Sequence, residues 1–332
     1  MTTDFTDLVD LAAEALGGTV IAANDEFFAP KEALLKPTPA EWREGVYTER
    51  GKWMDGWETR RRRTPGFDWA IIHLGAAGVV RGVVIDTAFF RGNYPEGASI
   101  EGCEVEGTPS TEVLMHPSTV WRTILPQVPL KGDSRNLFAT EDESRFTHLR
   151  LNIFPDGGVA RLRVHGVVRP VHEGDGDASI DLAALENGGF SMVCSDMFFG
   201  HRQNLILPGR STHMGNGWET QRRRGPGHDW TIIRLGDPGT IERVELDTDH
   251  YKGNAPGTCM IEVCHMEGAT AAQLVNPALP WTTIVPQSAL QPHGRHRWAV
   301  SAVIPATHLR LNIYPDGGVA RLRAFGHRIP AP

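Results

Sequence analysis

The sequence predicts an all-β protein built from two tandem antiparallel β-sandwiches related by internal duplication. Three observations carry that expectation. The segment HLRLNIFPDGGVARLRVHG from His148 returns as HLRLNIYPDGGVARLRAFG from His308. Upstream, GWETRRRR from Gly56 returns as GWETQRRR from Gly217, and Asp68-Trp69 returns as Asp229-Trp230. Between these landmarks the chain runs in short stretches rich in Val, Ile and aromatic residues, broken by Gly or Pro about every ten residues, as packed strands require. A repeat period of about 160 residues is too long for a solenoid and fits duplicated whole domains. The 332 residues are enough for two buried cores. Residues 1–170 and 171–332 are the expected domains, joined by a Glu-, Asp- and Gly-containing linker from Val171 to Ala178.

The elements follow in order. The N-terminal segment MTTDFTDLVDLAAEALGG reads as a short amphipathic helix stopped by Gly17-Gly18. Its acidic start lacks the basic stretch of a secretion signal, so a cytoplasmic protein is expected. DLAAEALGG from Asp10 corresponds to DLAALENGG from Asp181, and Asp25 with Phe27-Phe28 corresponds to Asp196 with Phe198-Phe199. The offset is larger here than downstream, which places an insertion in the first copy near Thr38 to Lys52. WAIIHLG, VVRGVVIDTAF, ASIEGCEVEG and THLRLNIF then read as strands. If Pro155-Asp156-Gly157-Gly158 closes a hairpin, Arg150 faces Arg163 and Asn152 faces Arg161, while Leu149, Leu151 and Ile153 point to the core with Leu162 and Val164. Such a row of like charges needs cover from acidic side chains of a neighbouring strand or subunit, or from a ligand anion.

Composition excludes some partners. A formal charge of −7 argues against nucleic acid and anionic membrane surfaces, and no apolar run approaches the length of a membrane span. Cys103, Cys194, Cys259 and Cys264 show no metal-ligand spacing and read as reduced strand or core residues. The two copies share only His148 and His308 among their histidines. No resident metal or cofactor is therefore expected, with a weak divalent-ion requirement left open.

The run LAAEALGGTVIAANDEFFAPKEALLKP, followed by GKWMDGWETRRRR, DWAIIHLG, RGNYPEG and PDGGVARLR, resembles the allantoicase repeat, and the second copy repeats the order. The resemblance implies a pair of jelly-roll sandwiches similar to discoidin-type, galactose-binding-like domains. It also implies hydrolysis of allantoate to (S)-ureidoglycolate and urea, in an expected homo-oligomer. A non-enzymatic ligand-binding module pair and a related hydrolase of ureidoglycolate or allantoin are the alternatives.

That chemistry needs a cation for the carboxylate, polar groups for the ureido arms and a proton-transferring group. Glu58 beside Arg60 to Arg63, and Glu219 beside Arg222 to Arg224, read either as an acid-base carboxylate with a substrate clamp or as a salt-bridged loop. Arg61, Arg62, Arg222 and Arg223 are the clamp candidates. Asp25 and Asp196 read either as bases raised by their apolar neighbours or as turn caps. Arg91 with Asn93, and Lys252 with Asn254, suit a ureido group or a plain turn. Asp156 and Asp316, at the sandwich end where ligand loops gather, read either as substrate contacts or as plain turn residues. Trp57 and Trp218 read as core anchors.

Overall fold

A computed structural model describes residues 4–171 and 178–329, leaving most of the expected linker outside the described residues. The chain divides into two compact units, residues 1–169 and 170–332.

The first unit contains β1 (Val9–Asp10), β2 (Thr19–Ala23), β3 (Tyr47–Thr48), β4 (Gly51–Lys52), β5 (Trp57–Glu58), β6 (Asp68–Asp86), β7 (Gly97–Cys103), β8 (Arg122–Pro129), β9 (Arg135–Ala139), β10 (Arg145–Phe154), β11 (Gly158–Val159) and β12 (Arg161–Val168). The second contains β13 (Ile180–Asp181), β14 (Phe190–Cys194), β15 (Trp218–Glu219), β16 (Asp229–Asp247), β17 (Thr258–Cys264), β18 (Thr282–Ala289), β19 (Arg295–Ala299), β20 (Pro305–Tyr314), β21 (Gly318–Val319) and β22 (Arg321–Arg328). Described residues hold only two short α-helices, Thr111–Met115 and Ala271–Leu274.

Each unit is a jelly-roll sandwich organised by one 19-residue strand. In the first unit, the front half of β6 pairs with β2 and β10, and β10 pairs with β7. The back half of β6 pairs with β9 and β12, and β12 with β1. One strand thus belongs to both layers, and it changes layer near Gly78-Val79, where β10 and β12 both reach it. Gly78 is required there, since a Cβ would lie 2.3 Å from the Val167 carbonyl oxygen. β16 repeats the arrangement with β14, β20, β19 and β22.

The period-two alternation is as expected: Leu149, Leu151, Ile153, Leu162 and Val164 are all fully buried. Leu149, Leu151, Leu162 and Val164 lie opposite Ile72, Ala70, Ile85 and Val83 of β6, and Ile153 lies opposite Ala98 of β7; each such large side chain contributes roughly 1.5–3 kcal/mol on leaving water.

The hairpin expectation fails. Arg150 lies opposite Ile71 and Glu101, whereas Arg163 lies opposite Val84. The segment after Phe154 turns through a cis Phe154–Pro155 bond into β11, which pairs with β5, and the chain then enters the other layer. No like-charged row forms, because Arg150 pairs with Glu101 at 2.7 Å and Arg163 donates to the Leu34 and Lys36 carbonyls. The N-terminal helix is also corrected. Two single-turn 3-10 segments, Phe5–Asp7 and Glu14–Leu16, flank β1, and Gly17 caps the second at φ 93°. The segment pairs with β12 as an edge strand rather than coiling. All four cysteines are free and lie on strands.

Candidate functional site

Alternation also builds the site. On β5, Trp57 points inward and is fully buried, with its Nε1–H donating to the Asp25 carbonyl at 2.8 Å. Glu58, the next residue, therefore points the other way, out to the rim. Its backbone is fixed on both sides, bridged to Ala29 and paired with Gly158 of β11. Gly158 packs so tightly that a Cβ would lie 1.9 Å from the Phe90 ring. Its N–H donates to the Asn93 carbonyl at 2.7 Å, which ties the Arg91–Asn93 loop to the Pro155–Gly158 turn.

Three sequence-distant loops thus converge on one carboxylate. The Asn93 amide donates to Glu58 Oε1 at 2.7 Å. Glu58 is 9% exposed. Burial raises its carboxyl above the ordinary carboxylate range, with the Asn93 hydrogen bond opposing the rise.

Two clefts meet at this pair. The larger, about 780 Å³, is lined by Glu58, Asn93, Asp156 and Arg61 to Arg63. The smaller, about 410 Å³, shares Glu58, Asn93 and Phe28 and adds Trp42, Lys52 and Arg91. Glu58, Arg61, Arg62, Asn93 and Asp156 therefore line one cleft, and Arg91 borders the adjoining one. Arg91 also pairs with Asp133 at 3.0 Å on the open surface.

Two assignments change. Asp25 does not line either cleft. Its carboxylate accepts from the Phe27 N–H at 3.1 Å, the Arg60 N–H at 2.9 Å and the Arg60 guanidinium at 2.6 Å. Burial alone would raise it, but these donors outweigh burial and hold it below its ordinary value. It is a turn cap and not a raised base. Arg62 is the other change: its guanidinium is committed to the buried Asp68 at 2.5 Å, and its N–H to Asp156 at 2.8 Å. Asp156 thereby shapes the arginine loop. Arg61 and Arg63 are the exposed arginines of the run that line the cleft, and their guanidinium groups have no hydrogen-bond or ion-pair partner among the described residues.

The second unit repeats the frame. Asn254 donates to Glu219 Oε1 at 2.6 Å, the Arg223 N–H to Asp316 at 2.8 Å, and the Arg223 guanidinium to Asp229 at 2.5 Å. Asp196 accepts from the N–H groups of Phe198 and Gln221. It caps its turn as Asp25 does, and Trp218 is fully buried as Trp57 is. Arg222 and Lys252 are exposed at the rim. Glu219 is only half-buried.

Trp42, Lys52, Phe28, Tyr94 and Glu96 line the first-unit clefts without having been singled out from sequence. Trp42 and Lys52 carried one signal, since both lie in the insertion of the first copy. His148 and His308 are not site residues: both are buried, and burial pushes them down to about 4, helped by His73 and Arg234 respectively. Among the described residues no group of three or more His, Cys, Asp or Glu side chains is placed to hold a metal ion. Among the described residues no helix is long and apolar enough to cross a membrane.

The family pattern described as allantoicase repeat matches residues 9–169 and again 180–329. The chain belongs to the allantoicase family. A probable allantoicase of Pseudomonas aeruginosa (strain UCBPP-PA14) is 49% identical over 97% of this chain and 96% of its own length. One from Photobacterium profundum is 46% identical over 98% of both. The crystal structure of allantoicase from Saccharomyces cerevisiae superposes with a TM-score of 0.82 at 38% identity, covering 96% of this chain and 92% of that one. The two family repeats thus coincide with the two sandwiches described above.

Proposed function

We propose that the chain hydrolyses allantoate to (S)-ureidoglycolate and urea in the first-unit cleft, with Glu58 transferring the proton. The observation that carries this reading is the buried Glu58–Asn93 pair between two cation-bearing clefts, in a member of the allantoicase family. Allantoate has one carboxylate and two ureido arms on a central carbon. Arg61 and Arg63 hold the carboxylate, each as a charge-assisted donor. Asn93 keeps Glu58 oriented.

Glu58, ionised at the start, takes one proton from a water whose oxygen bonds to the central carbon. The bond from that carbon to one ureido nitrogen breaks, and Glu58 returns the proton to the departing nitrogen. Water's oxygen remains as the product hydroxyl with its second hydrogen, and neutral urea leaves. The raised carboxyl makes Glu58 a stronger base than a free glutamate, so kcat/KM should rise with pH through a value above the ordinary glutamate range.

Purified protein supplied with allantoate, allantoin or ureidoglycolate, followed by urea release, tests the reaction; absence of urea from allantoate, with and without manganese, would exclude it. For the clamp, Arg61→Ala and Arg63→Ala are expected to raise KM about 10- to 100-fold each, the loss of one charged hydrogen bond. Unchanged KM in both variants would place the carboxylate elsewhere.

A further inference from the structure

The two units differ most at the rim of this site. Within the segment 38–52 the first carries about ten residues more than the second does between Pro208 and Gly217, and its far part folds as the small β3–β4 ribbon. Its base is locked down. Arg161, itself buried, donates to the Thr38 and Pro39 carbonyls and to Asp55 at 2.6 Å, and Asp55 accepts the Glu41 N–H. A segment held this firmly is a wall and not a loose loop.

The wall turns one face towards Glu58. Trp42 packs on Phe89 with ring centroids 5.7 Å apart, and Lys52 Nζ stands 4.0 Å above the Trp42 ring centroid. Phe28 and Met54 complete an apolar floor, and Asn93 closes the side shared with the larger cleft. The lobe is thus largely aromatic, with the Lys52 ammonium at its edge, and the one guanidinium that borders it, that of Arg91, is already paired with Asp133.

Resting on the reading that allantoate is turned over at Glu58, we infer that this insertion-built lobe is the ureido-recognition pocket of the first unit. A planar ureido group lies against Trp42, and its carbonyl oxygen accepts from Lys52. The substrate then straddles the Glu58–Asn93 pair, carboxylate on the Arg61 and Arg63 side and ureido arm on the Trp42 and Lys52 side. Planar neutral groups stack on an aromatic face, and a carbonyl oxygen is a good acceptor for an ammonium. The second unit lacks Trp42 and Lys52 and so does not bind the arm.

The test uses two unreactive probes on the full chain by calorimetry, so that it reads binding whether or not turnover occurs. N-carbamoylglycine has a carboxylate and one ureido arm; glycolate has the carboxylate with no arm. Wild type should bind N-carbamoylglycine more tightly than glycolate. Lys52→Met, at an exposed position, and Trp42→Ala should each weaken N-carbamoylglycine about tenfold and leave glycolate unchanged, with the melting temperature monitored alongside. Equal weakening of both probes by Lys52→Met would put the carboxylate in this lobe and overturn the assignment. So would unchanged N-carbamoylglycine binding in both variants. Failure to release urea from allantoate, with these binding shifts intact, would instead remove the catalytic reading alone.

Discussion

Glu58→Gln is expected to lower kcat by about 10²- to 10⁴-fold, the usual span for loss of a positioned proton-transfer group, with KM for allantoate near its wild-type value. Glutamine matches glutamate in volume and can still accept from Asn93, so the rim stays folded and the substrate still binds. What is lost is the base. Glu219→Gln is expected to turn over almost normally, because Glu219 is half-buried and its rim lacks the β3–β4 ribbon. Steady-state urea release from the two variants separates the units. The opposite outcome, with Glu219→Gln inactive and Glu58→Gln unimpaired, would move the chemistry to the second unit and end the assignment made above.

Asp55→Ala is expected to destabilise the first unit by about 3–5 kcal/mol, the range for removing one partner of a buried ion pair. Both side chains of the Asp55–Arg161 pair are almost fully buried, and Lys36 also donates to Asp55 at 2.7 Å. Chemical denaturation should show the loss, and the 38–52 wall should become sensitive to protease. The pair also sets an acid limit. Burial by itself would raise the Asp55 carboxyl, but hydrogen bonds from Arg161, Lys36 and the Glu41 N–H outweigh it and hold the group at about 2.

A folded value below the unfolded one means that this contribution is complete above roughly pH 4 and fades as pH falls towards 2. The corresponding position in the second unit is Asn216, whose amide oxygen and carbonyl accept from Arg321. That unit should show no such acid-dependent loss at this position. An Asp55→Ala protein with unchanged denaturation would show that the carbonyl cage around Arg161 suffices.

The repeated segments made the duplication legible in the sequence, and the alternation of Leu149, Leu151 and Ile153 made their inward face legible. Pairing was not. Alternation fixes which face a side chain takes but not which strand lies beside it, and an Asp-Gly turn signal looks the same whether the chain doubles back or crosses to the other layer. At the site, Glu58, Asn93 and Asp156 stood out because each recurs in the second copy. Recurrence could not separate them from Asp25 and Arg62, which recur for the sake of the frame: one caps a turn and the other neutralises a buried aspartate. Trp42 and Lys52 escaped for the converse reason. They occur once, and a search for what two copies share passes over what only one of them has.

The strand common to both layers of each unit has a consequence for how such a protein can change. In a sandwich of separate sheets, the spacing and angle of the layers depend on side-chain contacts alone, so a new loop that pulls on one layer can shift it against the other. Here the layers are stitched by an unbroken main chain through β6 or β16, and their alignment is set covalently. Loops at the rim can be lengthened at small entropic cost without transmitting that change to the body. The β3–β4 ribbon is such an edit, present over one copy and absent over the other, on bodies whose strand order is the same. Duplication on this frame leaves the mouth of each copy free to diverge while the floor beneath it stays put.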